Sequence, residues 1–202
     1  MAIIVVGGTG KDVGKTSLVC GLIAALPEFA WTAVKVTRHQ HAPGAPSMRR
    51  LSGAWVGNLE SSQAHVSHHP IWEETVPGQA TDTARYLAAG AHRALLVASE
   101  DGNLPLDELS AAVGPHTNLI FESNTIATQL KPDLCLGVVG TEAEVKPSFE
   151  PFMRWMDAAV VLAGVQAVFA GSDAMPVFRL VQLERISPEM LGWVRGKLRV
   201  AG

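Results

Sequence analysis

The chain has 202 residues and a formal net charge of −3, and 48% of its residues are hydrophobic. This length predicts a single domain over residues 1–202 with a substantial core. The charge argues against a broad nucleic-acid-binding face, and no apolar stretch approaches the length of a membrane span. No basic region precedes the short N-terminal apolar run, so a signal peptide is not expected. Cys20 and Cys135 fall in apolar elements and are predicted to be reduced core residues. We therefore expect a soluble, cytoplasmic protein without nucleic-acid or membrane partners.

A glycine-rich stretch follows the first predicted strand, residues 2–6, and precedes a predicted helix over residues 15–26. Strand, glycine-rich turn and helix form the context of a phosphate-binding loop. In such a loop, converging backbone N–H groups and the helix N-terminus attract an anion. Lys15 would reach the terminal phosphates and the Thr16 hydroxyl would ligate magnesium. The predicted nucleotide-binding residues are Thr9, Gly10, Lys11, Asp12, Val13, Gly14, Lys15, Thr16 and Ser17.

The loop departs from the standard spacing at its first position. Thr9 stands where the first glycine is expected, and Gly8 lies one residue earlier. The loop is therefore either one residue longer than usual or a variant with threonine first.

The second predicted strand, residues 31–37, is mostly apolar and is interrupted by Lys35. Because a lone buried lysine is costly, we expect Lys35 to lie near the carboxyl end of the strand and to point toward an anionic partner. The alternative is a strand-end lysine that extends to solvent. Together with Arg38 and His39, Lys35 is the predicted site for a second anion.

Residues 42–79 show little helical or strand periodicity and are rich in Pro, Gly, Ser, His and Trp. A stretch of this length inside a domain is usually functional or mobile. We expect short strands at 52–56 and 64–66 that form a flap or hairpin over the site. No cysteine joins the nearby histidines and no structural-zinc spacing occurs, so phosphate or carboxylate contacts by Arg38, His39 and Arg49 are favoured over a metal. These histidines are His39, His41, His65, His68 and His69.

Two acidic residues are candidates for the magnesium site. Glu122 ends an apolar strand predicted at 118–121, a placement typical of the magnesium-holding acid in phosphate-loop proteins; the alternative is an ordinary strand-end glutamate. Asp82 opens a helix predicted at 81–91 and is either a helix-capping anion or a second-shell partner of magnesium. The predicted metal-site residues are therefore Thr16, Asp82 and Glu122.

The remaining elements alternate along the chain. Strands are predicted at 93–98, 133–139, 158–162 and, at an edge, 177–183, and helices at 105–113, 125–130, 149–156 and 187–198, the last capped by Ser187. Phe149, Phe152 and Trp155 are expected in the core. The loop 140–148 lies where such folds hold the base. This alternation predicts a three-layer α/β phosphate-loop fold, a mostly parallel sheet with helices on both faces. Lys15, Lys35, Asp82 and Glu122 then share one rim of the sheet.

Two families resemble this chain. The loop over residues 8–16 resembles that of dethiobiotin synthetases, with the same Val-Gly-Lys-Thr ending. Residues 2–140 are more similar to the molybdopterin-guanine dinucleotide biosynthesis adaptors, through the matches that follow. These are Lys35 to His41, Asp82 to Arg85, Ala89 to Ala91, Glu122, and Lys131 to Asp133. Ser123 departs from both families, which have glycine there.

The adaptor resemblance implies a homodimer that binds ATP or GTP with Mg²⁺, hydrolyses it slowly, and acts with a molybdopterin-related ligand or partner enzyme. Lys15, Lys35 and Glu122 would be its catalytic residues. Resemblance to the synthetases implies an alternative, an ATP-dependent ligase in which Lys15 and Lys35 stabilise a carbamate and its mixed anhydride. A third hypothesis is a non-hydrolysing regulator that uses the 42–79 loop as a partner surface. The sequence carries no Asn-Lys-x-Asp pattern for guanine, so it does not select the base.

Overall fold

The computed structural model describes residues 1–37, 47–52, 70–99, 103–141, 145–164 and 175–200. Residues 199 and 200 are described by their backbone only. Within these residues nine strands form one sheet, in the order β3-β4-β5-β2-β6-β1-β7-β8-β9. The strands are β1 Ile3–Gly8, β2 Thr32–Thr37, β3 Met48–Ser52, β4 Ile71–Glu74, β5 Arg93–Ala98, β6 Leu119–Glu122, β7 Leu134–Val139, β8 Ala158–Leu162 and β9 Val177–Leu180.

The helices lie between the strands. They are α1 Lys15–Ala25, α2 Asp82–Ala88, α3 Leu106–Val113, α4 Phe149–Phe152 and α5 Pro188–Val200. Two of them begin at side-chain caps, and the cap at Ser187 agrees with the sequence prediction. The Thr81 hydroxyl accepts a hydrogen bond from the Ala84 N–H at 3.0 Å, and the Ser187 hydroxyl accepts one from the Met190 N–H at 3.2 Å.

The sheet has a hydrophobic core on each face. Residues of α1, α2 and α5 pack on one face, while residues of α3 and α4 pack on the other. Six strand pairs are parallel. The predicted three-layer, mostly parallel α/β fold is therefore confirmed. Because the carboxyl ends of β1, β2 and β6 meet at one edge, the side chains that end these strands lie close together.

The stretch 42–79 differs from its prediction where the structure describes it. β3 and β4 lie in the main sheet, and β4 is antiparallel to both β3 and β5. Glu73 of β4 is buried because Arg93 of β5 and Arg49 of β3 pair with its carboxylate, the former at 2.6 Å. A search for hydrophobic periodicity along the chain cannot detect such ion pairs between strands. Of the strands predicted at 52–56 and 64–66, only Ser52 is described, as the last residue of β3; the rest of both, and any flap there, lie outside the described residues.

Several smaller expectations can be compared with the structure. Cys20 and Cys135 are free and buried, in agreement with the sequence. Phe149 and Phe152 are fully buried, but the prediction for Trp155 is wrong, since it is 44% exposed. The α-helix ends at Phe152 and a 3-10 turn follows over Met153–Trp155, so Trp155 does not continue the helix face predicted over 149–156. No described helix has the length and apolar character to cross a membrane.

Candidate functional site

The glycine-rich loop joins β1 to α1 directly. β1 ends at Gly8 and α1 begins at Lys15. Gly14 precedes the helix with φ +96°, in the left-handed region that favours glycine. A Cβ atom there would lie 2.2 Å from the Leu183 side chain. The left-handed backbone conformation is therefore the main reason for glycine at this position, because the contacting Leu183 atom is the end of a flexible side chain.

Thr9 anchors the loop to the neighbouring strand. Its N–H donates to the Val138 carbonyl at 3.0 Å, and its carbonyl accepts from the Lys146 N–H at 2.8 Å. Its hydroxyl accepts from the Gly140 N–H at 3.0 Å. All three polar groups of Thr9 bond to β7 or to the loop that follows β7. The buried Thr9 therefore fixes the glycine-rich loop to this part of the sheet.

Asn124 holds the start of the loop in place, a role that the sequence analysis missed. Its side-chain amide bonds to both backbone groups of Gly8, as donor to the carbonyl at 3.0 Å and as acceptor from the N–H at 2.8 Å. The same amide nitrogen donates to the Ser148 hydroxyl at 3.1 Å. The only sequence signal is an asparagine two residues beyond the strand-end Glu122.

A cleft of about 550 Å³ opens above the loop, a volume suited to a nucleotide-sized ligand. It is lined by most of the predicted loop residues, by Lys35 of β2 and Glu122 of β6, and by Asp82 of α2. Lys146 and Ser148, in the loop predicted to lie on the base side, also line it. The cleft-lining residues named by the sequence analysis are Lys11, Asp12, Gly14, Lys15, Thr16, Ser17, Lys35, Asp82 and Glu122.

Not every predicted residue is placed in this cleft. Thr9, Gly10 and Val13 lie in or behind the loop without lining the cleft. Arg38 and His39, predicted to contact a second anion, lie outside the described residues, as do the other histidines considered for a metal.

Lys15 folds back over the loop. Its ammonium donates to the Gly10 carbonyl at 2.9 Å, and it forms no ion pair within the described parts of the chain. Burial lowers the pKa of Lys15, and the nearby Glu122 carboxylate only partly opposes that effect. A half-buried ammonium held only by a carbonyl is poised to receive an anion.

Glu122 lies at the centre of the site and is 3% exposed. The hydroxyls of Thr16, at 2.8 Å, and Tyr86 both donate to its Oε2, while the Lys35 ammonium bonds to its Oε1. In the register of β2 and β6, Lys35 is the direct partner of Glu122, which places the two side chains on the same face. Burial and the adjacent carboxylate raise the pKa of Tyr86 well above its usual value, so Tyr86 remains a donor.

Lys35 joins Glu122 to Asp82, whose Oδ2 lies 2.8 Å from the ammonium. Burial alone would lower the pKa of Lys35, but Glu122 and Asp82 outweigh burial and raise it. For Asp82, burial would raise the pKa, but the hydrogen bond and charge of Lys35 outweigh burial and lower it. The predicted anionic partner of Lys35 is thus a pair of carboxylates. Asp82 lies in the first turn of α2, as expected for an anion at a helix N-terminus, and it also lines the cleft, so its role at magnesium stays a prediction.

The donors near Thr16 suit a magnesium ion. The Thr16 hydroxyl and the carboxylates of Glu122 and Asp82 are hard oxygen ligands that lie together. Among the residues the structure describes, no group of three or more His, Cys, Asp or Glu could hold a metal alone. Magnesium commonly takes one or two carboxylates and completes its shell with water and substrate phosphates, so these residues fit it.

Arg85 also reaches the site, on the side of Ser17. It donates to the Ser17 hydroxyl at 3.2 Å and lies 3.6 Å from Glu184, just beyond β9. A hydrogen bond from Ser17 is the main cause of a lowered pKa at Glu184. The sequence analysis assigned no role to Arg85 or Glu184, because their contacts join residues distant along the chain.

A parallel strand, a glycine-rich loop, a helix N-terminus with Lys15 and Thr16, and a facing strand-end carboxylate define the phosphate-loop class of α/β protein. No protein-family model matches the chain, and no curated protein matches it significantly. Among solved structures, LpxK from Aquifex aeolicus in complex with ATP is similar at 18% identity and a TM-score of 0.46, covering 89% of this chain. The chain spans 53% of that protein's length. A MobB protein homolog from Bacillus stearothermophilus is similar at 16% identity and a TM-score of 0.46, with 99% of each chain covered.

Proposed function

We propose that this chain is a magnesium-dependent nucleoside triphosphate-binding protein that hydrolyses its nucleotide slowly. The observation that carries the proposal is the Lys15 ammonium, held over the loop by a carbonyl and adjacent to the bonded pair of Thr16 and Glu122. This arrangement places one cation and a set of oxygen ligands at the mouth of a phosphate-binding loop.

The chain's own groups would act by position and charge. The loop amides and Lys15 neutralise the phosphates, and Thr16, Glu122 and Asp82 would hold the magnesium directly or through water. When bound, magnesium would neutralise the charge that develops on the phosphates. Lys35 and Tyr86 fix the orientation of Glu122 through its two oxygens.

We attribute the slow hydrolysis to the two positively charged side chains of the site that are already paired. Lys35 is paired with two carboxylates and Arg85 is engaged with Ser17 and Glu184. Charge at the terminal phosphate is therefore only partly stabilised until a ligand or a partner frees these cations. Comparable phosphate-loop proteins gain several orders of magnitude from one added arginine.

The finer proposal is an adaptor in molybdenum cofactor biosynthesis that works as a cytoplasmic homodimer. It is supported by the residues through which the sequence resembles that family, since Lys35, Asp82, Arg85 and Glu122 all line one cleft. A preference for GTP over ATP and binding of a molybdopterin-related ligand would support it. ATP turnover stimulated by a diamino acid with bicarbonate would instead favour the ligase, in which Lys15 and Lys35 face the reacting groups.

The test is a calorimetric titration of the Lys15→Ala variant with ATP and with GTP, each with Mg²⁺. Removing one partner of a desolvated charge pair costs roughly 2–5 kcal/mol, so affinity should fall about 30-fold or more. Lys131→Ala is the control, because Lys131 is exposed, precedes the first residue of β7 and does not line the cleft. Wild-type affinity in the Lys15→Ala variant would contradict the phosphate-loop assignment.

A further inference from the structure

Lys146 lines the nucleotide cleft from the loop that follows β7, and no role has been assigned to it. Its backbone is tied to the glycine-rich loop, because its N–H donates to the Thr9 carbonyl at 2.8 Å. Its own carbonyl accepts from the N–H of Phe149 at 2.8 Å, and Phe149 is fully buried at the start of α4. The backbone of Lys146 is therefore held from both sides, while the residue itself is exposed.

Ser148 attaches the same segment to the glycine-rich loop a second time. Its hydroxyl accepts from the side-chain amide of Asn124 at 3.1 Å, and that amide also bonds to the backbone of Gly8. Residues 146–148 are thus connected to both Gly8 and Thr9, where the loop begins. A cation on this segment keeps its position relative to any ligand that the loop binds.

We propose that Lys146 is a second phosphate-binding lysine, which contacts the phosphates next to the nucleoside, on the side of the loop opposite the magnesium ligands. The proposal rests on the proposed function, because its ligand is the bound nucleotide. It gives a phosphate-binding role to a segment that the sequence analysis expected on the base side.

Ion pairing inside the cleft leaves this side with unpaired positive charge. Lys35 is paired with two carboxylates and Arg85 with Glu184. The other charged residues that line the cleft, apart from the carboxylates bound to Lys35, are Lys11, Asp12, Lys15 and Lys146. Among the residues that the structure describes, none of these three lysines forms an ion pair. Three ammonium groups and one carboxylate around a glycine-rich loop attract a polyphosphate.

Lys146 also lies close enough to Lys15 for the two charges to interact. Burial is the main cause of the lowered pKa of Lys15, and the charge of Glu122 opposes it. The charge of Lys146 acts in the same direction as burial and more strongly than that of Lys35. Because the two ammonium groups repel each other in the free protein, both are stabilised when an anion binds between them.

The order of the strands places Lys146 at one end of the ligand. β1 lies between β6, which ends at Glu122, and β7, which leads to Lys146. The proposed magnesium site at Thr16 and Glu122 marks the position of the terminal phosphates. A nucleotide bound along the loop therefore has its terminal phosphate toward β6 and its nucleoside-side phosphates toward β7 and Lys146.

Calorimetric titrations with ADP, GDP and the β,γ-imido analogues of ATP and GTP, each with Mg²⁺, test the proposal. In Lys146→Ala the affinity should fall roughly fivefold, because an exposed ammonium beside a phosphate contributes modestly in water. The loss should be similar for diphosphate and triphosphate, since both carry the phosphates next to the nucleoside. Lys146→Glu should lose more, and Lys146→Arg, which keeps the charge, should stay near the wild-type affinity.

The matched control is Lys131→Glu. It makes the same change of net charge at an exposed lysine that does not line the cleft, so affinity should not change. The salt dependence of binding is a second readout, which a merely structural role would not alter. Affinity should decline with added NaCl less steeply in Lys146→Ala than in the wild type, because one charge contact is missing.

The outcomes separate this proposal from the proposed function. Wild-type affinity of Lys146→Glu for both kinds of nucleotide would overturn the role of Lys146 and leave the proposed function intact. A loss confined to the triphosphate analogues would overturn the position assigned to Lys146, and an equal loss in Lys131→Glu would attribute the effect to net charge and overturn it as well. Failure of the wild-type protein to bind any of the nucleotides would overturn the proposed function, and the role of Lys146 with it.

Discussion

The side chain of Asn124 pairs with both backbone groups of Gly8, although the two residues are 116 positions apart along the chain. Gly8 is the last residue of β1 and is buried. One asparagine therefore satisfies the donor and the acceptor at the point where the strand becomes the loop.

Asn124→Ala should lower both stability and nucleotide affinity. A buried donor and acceptor left unpaired cost roughly 1–3 kcal/mol, and the loop is no longer held at its start. Urea unfolding and calorimetric titration with nucleotide measure the two effects. Asn118→Ala is the matched control.

Asn118 also bonds to two backbone groups, those of Ala2 and Phe29, but at the opposite edge of the sheet. Its replacement should lower stability and leave nucleotide affinity unchanged. Equal losses of affinity in the two variants would show that Asn124 acts only through general stability.

Tyr86→Phe should weaken magnesium binding more than it weakens the fold. The variant removes only the hydroxyl that donates to Glu122. Outer-shell partners of metal ligands typically contribute about 10–100-fold to metal affinity. Titration of Mn²⁺ into the nucleotide complex, followed by electron paramagnetic resonance, measures this loss.

Ile23→Val is the control for Tyr86→Phe, since it removes one buried methylene from α1 in the same core and costs roughly 0.5–1.5 kcal/mol. It should leave the Mn²⁺ affinity at the wild-type value. A Tyr86→Phe variant with unchanged Mn²⁺ affinity would remove Tyr86 from the metal site.

Gly21→Ala should destabilise the protein although alanine favours helices. A Cβ at Gly21 in α1 would lie 2.8 Å from the backbone oxygens of Leu183 and Glu184. These oxygens belong to the segment that packs against Gly14, so overpacking should cost roughly 1–3 kcal/mol. Urea unfolding measures the change.

The same substitution at Gly192 should have the opposite sign. A Cβ there meets nothing within 4 Å, and Gly192 lies inside α5. Gly→Ala at such a site stabilises by about 0.4–1 kcal/mol. If Gly21→Ala were also stabilising, the close approach of residues 183–184 to α1 would be wrong.

The two thiols should be unreactive at neutral pH and should make stability fall at alkaline pH. Burial raises the pKa of Cys20 to about 11 and that of Cys135 to about 12, whereas an unfolded thiol titrates near about 8.5. Above that pH the unfolded state loses protons that the native state keeps, so stability declines as pH rises toward 11.

Labelling with a disulfide reagent at pH 8 measures the first effect. Both thiols should react quickly in denaturant and slowly in the native protein. Urea unfolding between pH 8 and 11 measures the second, with the Cys20→Ala, Cys135→Ala double variant as control. Fast labelling of the native protein would contradict the burial of these residues.

The sequence by itself determined the fold class and the position of the loop. Both depend on local patterns, since an apolar strand, small residues and a following helix are adjacent in the chain. It also placed Lys35 and Glu122 at one edge, because parallel strands carry their carboxyl ends to the same side. The strands β3 and β4 were misplaced because their pairing, including that of Glu73 with Arg93, depends on neighbours distant in sequence.

Only the tertiary structure decided which groups touch within the site. Tyr86 meets Glu122, Asn124 meets Gly8 and Leu183 meets Gly14 through strand register and helix packing. These contacts join residues that no local pattern connects, and each depends on where a whole element settles against the sheet.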